Sequence, residues 1–396
     1  MSSLFKQIGA VTSLNLRSIP QRWAMSIASV VAVALAITVL LFFLALSNGL
    51  RQTVAGSGSE DVAVAIREGS NSELNSTVFR EQLNILASGP GVVQRDGRPV
   101  VSGELLVIVD GKKRSTGLNA NMPFRGIGPE GIRLRPGARI TQGRMFSPGA
   151  NEIVVGRAMQ REFAGFDYGK SIRLRGTDWR IVGVFEAPGT VFESELWADV
   201  AVTQSLFNRG SSFQTIRIKL ASAADMPRFK AWAQRDARLK QLEVLSEREF
   251  YARQASQSSA GFTNIAWALG VTMAIGALAG ALNTMYASVA ARSAEIATLR
   301  IIGFSGLAAF IGTMAEALAL CALGGLLGIG LAFIAFNGRT TSTLGSGFTQ
   351  LVFKFDLSPQ IIVAAIIMAA VIGLLGGILP GVRAARQRPL LELAAA

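Results

Sequence analysis

Four stretches of the chain are almost entirely apolar, and segments richer in polar residues separate them. They cover residues 25–46, 265–290, 307–336 and 361–378, and the sequence Leu379-Pro380-Gly381 stops the last one. The first contains no charged residue over about 22 positions, which is about 33 Å of helix against a hydrocarbon core of about 30 Å. A soluble core could bury one such helix, but four predict an integral membrane protein with four transmembrane helices.

The first apolar stretch also fits a secretory signal peptide. Lys6, Arg17 and Arg22 would form its basic region, and Ala45-Leu46-Ser47 loosely resembles a cleavage site. The apolar region of a signal peptide is only about 7–15 residues long, which is shorter than this stretch. The length therefore favours a helix that stays in the membrane.

The segments beside the apolar stretches differ in basic residues, which are enriched on the cytoplasmic side of a membrane. The segments 1–24, 291–306 and 379–396 carry Lys6, Arg17, Arg22, Arg292, Arg300, Arg383, Arg386 and Arg388. The connection 337–358 carries only Arg339 and Lys354, with Asp356 beside them. This pattern predicts that the N-terminal segment, the loop and the tail are cytoplasmic, so that both termini are cytoplasmic and residues 47–260 lie outside.

The long outer segment, residues 47–260, has the patterns of both strands and helices. Alternation or turn signals predict strands at residues 151–155, 171–175, 178–185 and 215–220. Helices are predicted near residues 76–88 and 226–242, the latter from its apolar periodicity. A further helix is predicted to start near Glu247 and to lead through residues 254–260 into the second apolar stretch. We therefore expect a large extracytoplasmic α+β domain, in two small lobes, between transmembrane helices 1 and 2.

Composition excludes several classes of chemistry. The chain has no histidine and a single cysteine, Cys321, so it cannot form a Ser–His or Cys–His pair, a His-ligated metal site or an intrachain disulfide. We expect no catalytic residue and no metal. The net charge is +13, but charges of both signs are interspersed and no nucleic-acid motif is present. The basic excess instead fits cytoplasmic loops and anionic membrane lipids.

One short motif resembles a nucleotide site. Gly169-Lys170-Ser171 matches the end of a phosphate-binding loop, but Ala164 stands where that motif needs a glycine. The residues that follow alternate like a strand, whereas the motif needs a helix. We therefore expect no bound cofactor in this chain.

The loop at 291–306 has the spacing of a short amphipathic helix. Apolar and charged positions recur three and four residues apart, and a glycine closes the segment as a left-handed cap would; the residues are Arg292, Glu295, Ile296, Leu299, Arg300 and Gly303. Such a helix would lie along the cytoplasmic surface. A simple interfacial helix with arginines reaching lipid headgroups has the same pattern.

Glu316 lies about ten residues into the third apolar stretch. A carboxylate at that depth costs roughly 2.5–3.5 kcal/mol on a lipid-facing surface, so its side chain should face protein or water. It is either a charge that changes with the state of the molecule or a buried polar tie, and the absence of basic residues in the other spans favours the tie. Gly324, Gly325 and Gly328 predict a helix-packing face, since small residues four apart allow close approach.

The loop pattern Arg292-x-x-Glu295-Ile296-x-x-Leu299-Arg300-x-x-Gly303 resembles the coupling-helix signature of FtsX/MacB-type ABC transporter permeases, whose members include MacB, LolC, LolE and FtsX. Further segments are similar to this family: residues 15–20, 316–318 with the glycines beyond, 380–386 with Pro389, and, less specifically, 151–159 and 179–186. The resemblance covers both ends of the chain and the order of the four helices.

The resemblance implies an ATP-driven machine in a bacterial cell inner membrane. Two cytoplasmic ABC ATPase subunits would bind ATP and Mg, and would contact the coupling helix through Glu295 and Arg300, with Ile296 and Leu299 filling a groove on the ATPase. A second permease copy, identical or paralogous, would complete the complex. Helices 1 and 2 would carry the motion to the outer domain, which is termed mechanotransmission. The chain lacks the fused ATPase domain of MacB, so we expect a separate ATPase chain and no enzymatic activity here.

Two functions fit this family. The first is transport, as efflux or as extraction of an amphipathic substrate, with a periplasmic adaptor protein and an outer-membrane channel by analogy with MacB. The second is an FtsX-like transmembrane regulator of a periplasmic cell-wall hydrolase. A membrane enzyme is disfavoured because the chain has no histidine and its one cysteine lies in an apolar run. Fold alone does not decide between transport and regulation.

Overall fold

The structure, a computed structural model, describes residues 2–135, 137–344 and 350–387. Arg388 and Pro389 lie outside the described residues. The α-helices of the described chain are α1 (Ser2–Ser18), α2 (Trp23–Ala55), α3 (Arg80–Ala87), α4 (Arg157–Glu162), α5 (Val200–Leu206), α6 (Met226–Arg235), α7 (Glu247–Ala291), α8 (Ser293–Ile301), α9 (Gly306–Phe336) and α10 (Pro359–Arg386).

Three strands of the described chain have nine or more residues, and the others have at most six. The strands are β1 (Val62–Arg67), β2 (Val78–Phe79), β3 (Gln94–Arg95), β4 (Arg98–Pro99), β5 (Val101–Lys112), β6 (Asn119–Ile127), β7 (Arg139–Gly143), β8 (Glu152–Gly156), β9 (Ser171–Leu174), β10 (Thr177–Glu186), β11 (Leu196–Asp199), β12 (Ser212–Phe213), β13 (Thr215–Lys219), β14 (Leu242–Ser246), β15 (Thr340–Leu344) and β16 (Gln350–Lys354).

The chain divides into two compact units. The helical unit comprises Met1–Asn48, Gly261–Arg339 and Phe355–Ala396, and the α/β unit comprises Gly49–Ala260 and Thr340–Lys354. Within the part of the chain that the structure describes, four helices are long and apolar enough to cross a membrane: α2, α7, α9 and α10. They correspond to the four apolar stretches of the sequence.

Three of the four long helices extend beyond their apolar stretches. The fourth stretch was expected to stop at Leu379-Pro380-Gly381, but α10 continues through Pro380 to Arg386. The helix predicted to start near Glu247 and lead into the second stretch is confirmed, since α7 begins at Glu247 and is 45 residues long. The first stretch ends near residue 46, whereas α2 continues to Ala55. Hydropathy identifies only the part of a helix that suits lipid, so the apolar stretches did not show the extensions of α2 and α10.

A row of glycines holds α9 and α10 together. A Cβ atom at Gly373 would lie 3.1 Å from the Leu318 side chain, one at Gly377 would lie 2.9 Å from Met314 Sδ, and one at Gly381 would lie 2.9 Å from the Phe310 ring. These residues are four apart, so they form one face of α10. Small residues at this spacing allow helices in a membrane to approach closely.

The α/β unit is built on one ten-stranded sheet. The strand order is β14-β1-β13-β5-β6-β11-β8-β10-β7, and β9 pairs with β10. The long strand β5 pairs with β13 through residues 101–104 and with β6 through residues 105–112. The two small lobes expected from the sequence are therefore joined through β5 into a single sheet. The four strands predicted in this segment are confirmed as β8, β9, β10 and β13, and the two helices as α3 and α6. Helix α6 ends at Arg235, however, and residue 242, the predicted end, already begins β14.

Aromatic side chains fill much of the core beneath this sheet. Trp179 on β10 packs edge-on against Phe124 on β6, with ring centroids 5.0 Å apart. Phe185, also on β10, stacks on Trp197 of β11 at 3.8 Å. All four side chains are buried. The turn at Gly169-Lys170-Ser171 leads into β9 instead of a helix, as its strand-like alternation predicted.

Candidate functional site

The loop predicted to couple to an ATPase is the helix α8, and its two ends are sharply defined. A single residue, Arg292, with φ −115° and ψ 17°, breaks the helix between α7 and α8. At the other end Gly303 has φ +101°. Gly303 N donates to Arg300 O at 3.2 Å, and Phe304 N donates to Leu299 O at 3.0 Å. This pair of hydrogen bonds closes a helix on a left-handed glycine, as expected from the sequence.

One face of α8 is buried within the helical unit. Ile296 is buried in a cluster with Val289, Ala309 and Ala384, which come from α7, α9 and α10. Leu299 is half-buried. The structure therefore places Ile296 against its own bundle, not on a surface where it could fill a groove of an ATPase.

The opposite face of α8 is exposed and carries a different set of residues. Glu295 has a side chain 60% exposed, and Thr298 is exposed. Ile301 and Ile302 are 56% and 69% exposed. These two isoleucines were not among the residues predicted to contact an ATPase, although adjacent exposed apolar residues commonly mark an interaction site.

Four polar residues form what we call the hinge cluster, namely Ser288, Arg292, Glu295 and Glu316. Ser288 Oγ donates to Glu316 Oε1 at 2.9 Å. Arg292 Nε donates to Glu295 Oε2 at 2.9 Å, and Arg292 Nη1 lies 3.7 Å from Glu316 Oε2. Arg292 and Glu316 are buried. Glu316 thus has a basic partner from the break beside α8, which a search of the spans alone could not find.

A small cavity adjoins the hinge cluster. Its volume is about 20 Å³, and its lining includes Asn15, Ser288, Arg292, Thr313 and Glu316. This is room for about one water molecule among polar partners. A buried carboxylate and guanidinium next to such a space can shift slightly without losing all their hydrogen bonds.

The segment after α8 is held by helices α1 and α10. The Gln7 side chain on α1 donates from Nε2 to Gly303 O at 3.4 Å and accepts at Oε1 from Ser305 N at 3.1 Å. Arg300 Nη1 donates to Ala385 O at 3.3 Å, near the end of α10. Lateral motion of α8 would therefore be passed to both helices.

The glycines predicted to pack helices lie on two faces of α9. A Cβ atom at Gly324 would lie 2.8 Å from Val30 O, and one at Gly328 would lie 2.6 Å from Ala34 O, both on α2. A Cβ atom at Gly325 would lie 3.0 Å from Ala369 Cβ on α10. Helix α9 thus packs closely between α2 and α10.

A second group of charges lies in the α/β unit, and we call it the Arg–Glu network. Its side chains are at most 5% exposed, and its members are Glu73, Glu104, Arg125, Arg135, Glu195, Arg217 and Glu247. Glu104 accepts from three arginines, Arg135 at 2.6 Å, Arg217 at 3.0 Å and Arg125 at 3.1 Å. This carboxylate is the centre of the network.

The network reaches the first turn of α7. Glu247 pairs with Arg217 on β13 and accepts from Ser59 N at 3.1 Å. Arg217 Nη2 also donates to the Tyr251 hydroxyl, one turn further along α7, at 3.0 Å. The base of α7 is therefore fixed to the sheet through buried charges.

The electrostatics favour the charged forms of Glu104 and Arg125, whereas burial raises the pKa of Glu247. Burial alone would raise the pKa of Glu104, but Arg135 and Arg217 outweigh it and hold that pKa well below its usual value. Burial alone would lower the pKa of Arg125, yet the neighbouring Glu195 and Glu73 raise it. Within the described residues no group of three or more acidic, histidine or cysteine side chains is arranged to hold a metal ion.

Family comparisons agree with this architecture. A model of the MacB-like periplasmic core domain matches residues 26–235, more than half of the chain. A model of the FtsX-like permease C-terminal region matches residues 267–389. The chain is an ABC-type permease of the MacB/FtsX family.

Individual relatives of this permease are moderately similar to it. A macrolide export ATP-binding/permease protein MacB from Rhodopseudomonas palustris is 26% identical over 71% of the permease and 44% of that relative. An ABC transporter permease of Bacillus subtilis, YknZ, is 24% identical over 64% of the permease and 66% of that relative. The permease thus spans less than half the length of the MacB relatives it matches.

Among solved structures, the periplasmic region of MacB from Actinobacillus actinomycetemcomitans is similar over 50% of the permease and 94% of that chain, with 12% identity and a TM-score of 0.37. The family matches identify the α/β unit as the periplasmic domain and the four apolar helices as the membrane part.

Proposed function

We propose that this permease couples ATP hydrolysis on a separate ABC ATPase to movement of its periplasmic domain, and that this movement exports or extracts an amphipathic substrate. The observation that carries the proposal is α8, a short helix with one face buried in the bundle and the other exposed. A helix fixed in this way can receive a push from a partner and pass it to its neighbours.

The exposed face has the chemistry of a docking surface. Ile301 and Ile302 provide apolar area, and Glu295 provides a carboxylate that is already oriented by Arg292. We propose that two ATPase subunits, which bind ATP and Mg, dock on this face in two permease copies. Both termini would then be cytoplasmic, in a bacterial inner membrane. A periplasmic adaptor and an outer-membrane channel would complete an export pathway.

The path from α8 outwards runs through packed helices. Its buried face contacts α7, α9 and α10 through Ile296, and Arg300 contacts the end of α10. Helices α2 and α7 then continue without a break into the α/β unit. The match to a MacB-like periplasmic core domain favours transport over regulation of a cell-wall hydrolase.

The docking face can be tested with a cysteine at its most exposed position. In a Cys321→Ala background, Ile302→Cys should react with a membrane-impermeant maleimide only from the cytoplasmic side. Adding the cognate ATPase should slow the reaction at least about tenfold, because a docked surface excludes the reagent. Ser115→Cys, exposed in the α/β unit, is the matched control: it should react only from outside and at an unchanged rate.

A charge reversal in the same face tests coupling. Losing one partner of a desolvated charged contact typically costs about 2–5 kcal/mol. Glu295→Lys should therefore uncouple ATP hydrolysis from transport in a folded, membrane-inserted permease. Undiminished coupling in this variant, or reaction of Ile302→Cys from outside, would contradict the proposal.

A further inference from the structure

The connection between α9 and α10 is not a simple loop. It forms the hairpin β15–β16, in which five residue pairs face each other, from Thr340 and Lys354 to Leu344 and Gln350. This hairpin packs as part of the α/β unit, although both of its ends continue into helices of the helical unit. Its contacts show how each end is held.

Polar contacts dock the hairpin on the α/β unit. Lys113 Nζ donates to Ser342 Oγ at 2.8 Å, and Ser342 Oγ donates to Glu162 Oε1 at 2.7 Å. Lys113 and Glu162 also form an ion pair at 3.1 Å. On the other strand, Val352 N donates to Ser194 Oγ at 3.1 Å, and Ser194 is buried.

Apolar and backbone packing complete the docking. Leu351 and Phe353 on β16 are buried. A Cβ atom at Gly49 on α2 would collide with Lys354 O, so the absence of a side chain there lets the strand pass directly against the helix. Both strands of the hairpin are thus fixed to the periplasmic domain.

The base of the hairpin is fixed separately within the helical unit. Phe355 N donates to Arg339 O at 3.0 Å, which joins its two ends. The Phe355 ring packs against Phe42 and Phe336, with centroids 5.6 and 5.7 Å apart. The Asn48 side chain donates to Asp356 Oδ2 at 2.5 Å. The chain therefore leaves α9 and enters α10 from a held position, without a slack linker.

We propose that the β15–β16 hairpin is a third mechanical connection, which passes movement of α9 and α10 to the periplasmic domain alongside α2 and α7. A hydrogen-bonded ladder anchored at both ends transmits displacement, whereas a flexible linker absorbs it. The inference rests on the proposed ATP-driven movement. It adds that α9 and α10 also move the periplasmic domain, and that the hairpin is the element through which they do so.

The test changes the stiffness of the connection without changing its docking. A Gly-Ser-Gly-Ser segment is inserted after Arg339 and again after Lys354, and the matched control carries the same segment in the exposed turn between Pro148 and Gly149. Each permease, in a Cys321→Ala background with its cognate ATPase in nanodiscs, carries a spin label at Ser115→Cys. Distances between the labels of the two copies are measured without nucleotide and with ATP plus vanadate.

In the parent complex, ATP plus vanadate should shift the distance. The hairpin variant should lose about half or more of that shift while it hydrolyses ATP within about twofold of the parent, since a flexible segment absorbs displacement. The control insertion should keep the full shift. Ser194→Ala combined with Ser342→Ala, which removes docking hydrogen bonds at unchanged length, should reduce the shift in the same direction.

A full shift in the hairpin variant, or an equal loss in the control, would overturn the inference while leaving the proposed function intact. Absence of any shift in the parent complex would instead refute the ATP-driven movement, and the inference with it. The two failures are therefore distinguishable in one set of measurements.

Discussion

The Arg–Glu network and the hinge cluster both bury arginines beside glutamates, but they are built in opposite ways. In the network, three arginines and four glutamates are shielded together, and Glu104 alone accepts from three arginines. In the hinge cluster one arginine, Arg292, is shared between a buried carboxylate at 3.7 Å and an exposed one at 2.9 Å. The network is closed to other partners, and the hinge cluster is open to them.

This difference indicates two roles for buried charges. The network holds its elements in place, whereas the hinge cluster can change its partners. A buried charge that loses its partner is strongly destabilising, so a closed network holds its elements in one arrangement. The exposed carboxylate of Glu295 can exchange Arg292 for a cation on a docking protein at little cost, because solvent screens that pair. Arg292 would then be free to approach Glu316. The charges of the periplasmic domain thus preserve its shape, and those beside α8 allow it to respond.

The largest effect should follow from removing the centre of the closed network. Glu104→Gln leaves three buried arginines without their shared carboxylate, and breaking a buried pair costs about 3–5 kcal/mol. Unfolding by denaturant, followed through the fluorescence of the buried Trp179 and Trp197, should show this loss. Glu60→Gln, which affects an exposed ion pair with Arg248, should cost less than about 1 kcal/mol.

The loss of unfolding free energy in Glu104→Gln should depend on pH. Because the pKa of Glu104 is lowered from 4.5, its contribution is fully present above that value and is lost as the pH falls towards the folded-state pKa. The difference in unfolding free energy between the parent and Glu104→Gln should therefore be constant near neutral pH and narrow in acid. A difference that widened in acid would contradict the assignment.

An intermediate effect is expected at Glu316. Glu316→Gln keeps an acceptor for Ser288 but removes the charge facing Arg292, which still has Glu295, so we expect a loss of about 1–2 kcal/mol. Glu316→Leu removes the acceptor too and should cost about 2–3 kcal/mol. The chain's single cysteine, Cys321, is buried, so its rate of thiol modification during heating reports opening of the bundle. Normal opening with abolished ATP-driven turnover in Glu316→Gln would show that the charge itself matters.

The smallest effect on stability should come from Glu295. Glu295→Gln removes an exposed partner while Arg292 keeps Glu316, so Cys321 should become accessible at nearly the same temperature, with a change below about 1 kcal/mol. Thr298→Ala, on the same exposed face, is the control. If Glu295→Gln destabilised the bundle as much as Glu316→Leu, the hinge cluster would be closed like the network, and the comparison would fail.

Sequence reasoning was most successful where one local pattern determined the structure. The uninterrupted apolar stretches predicted α9 and α10 to within a few residues of one end, and two-residue alternation predicted β9 and β13. It was less successful where a structure depends on distant partners. The network members lie between Glu73 and Glu247, and each looks like an ordinary surface charge in the sequence.

For the hinge cluster, the sequence identified the buried carboxylate but not its partner. Glu316 was recognised, but its partner was sought within the membrane spans, whereas Arg292 lies just beyond the end of α7. Ile296, which the structure buries, was placed on the docking face because helical spacing identifies a face without saying which side is covered. The hairpin was missed because its first strand is a run of Thr and Ser, typical of a loop, and its docking residues are far away in the chain.

The length of α7 limits which insertions or deletions in this helix would keep the faces at its two ends in phase. Its 45 residues form an unbroken rod of about 68 Å, in which each residue adds about 1.5 Å and about 100° of rotation. Inserting one residue would therefore turn the Glu247 face relative to the Ser288 face by more than a quarter of a circle. Changes of about seven or eleven residues would nearly restore the angular phase. A single-residue insertion in α7 would thus change the angular phase along the helix as well as its length.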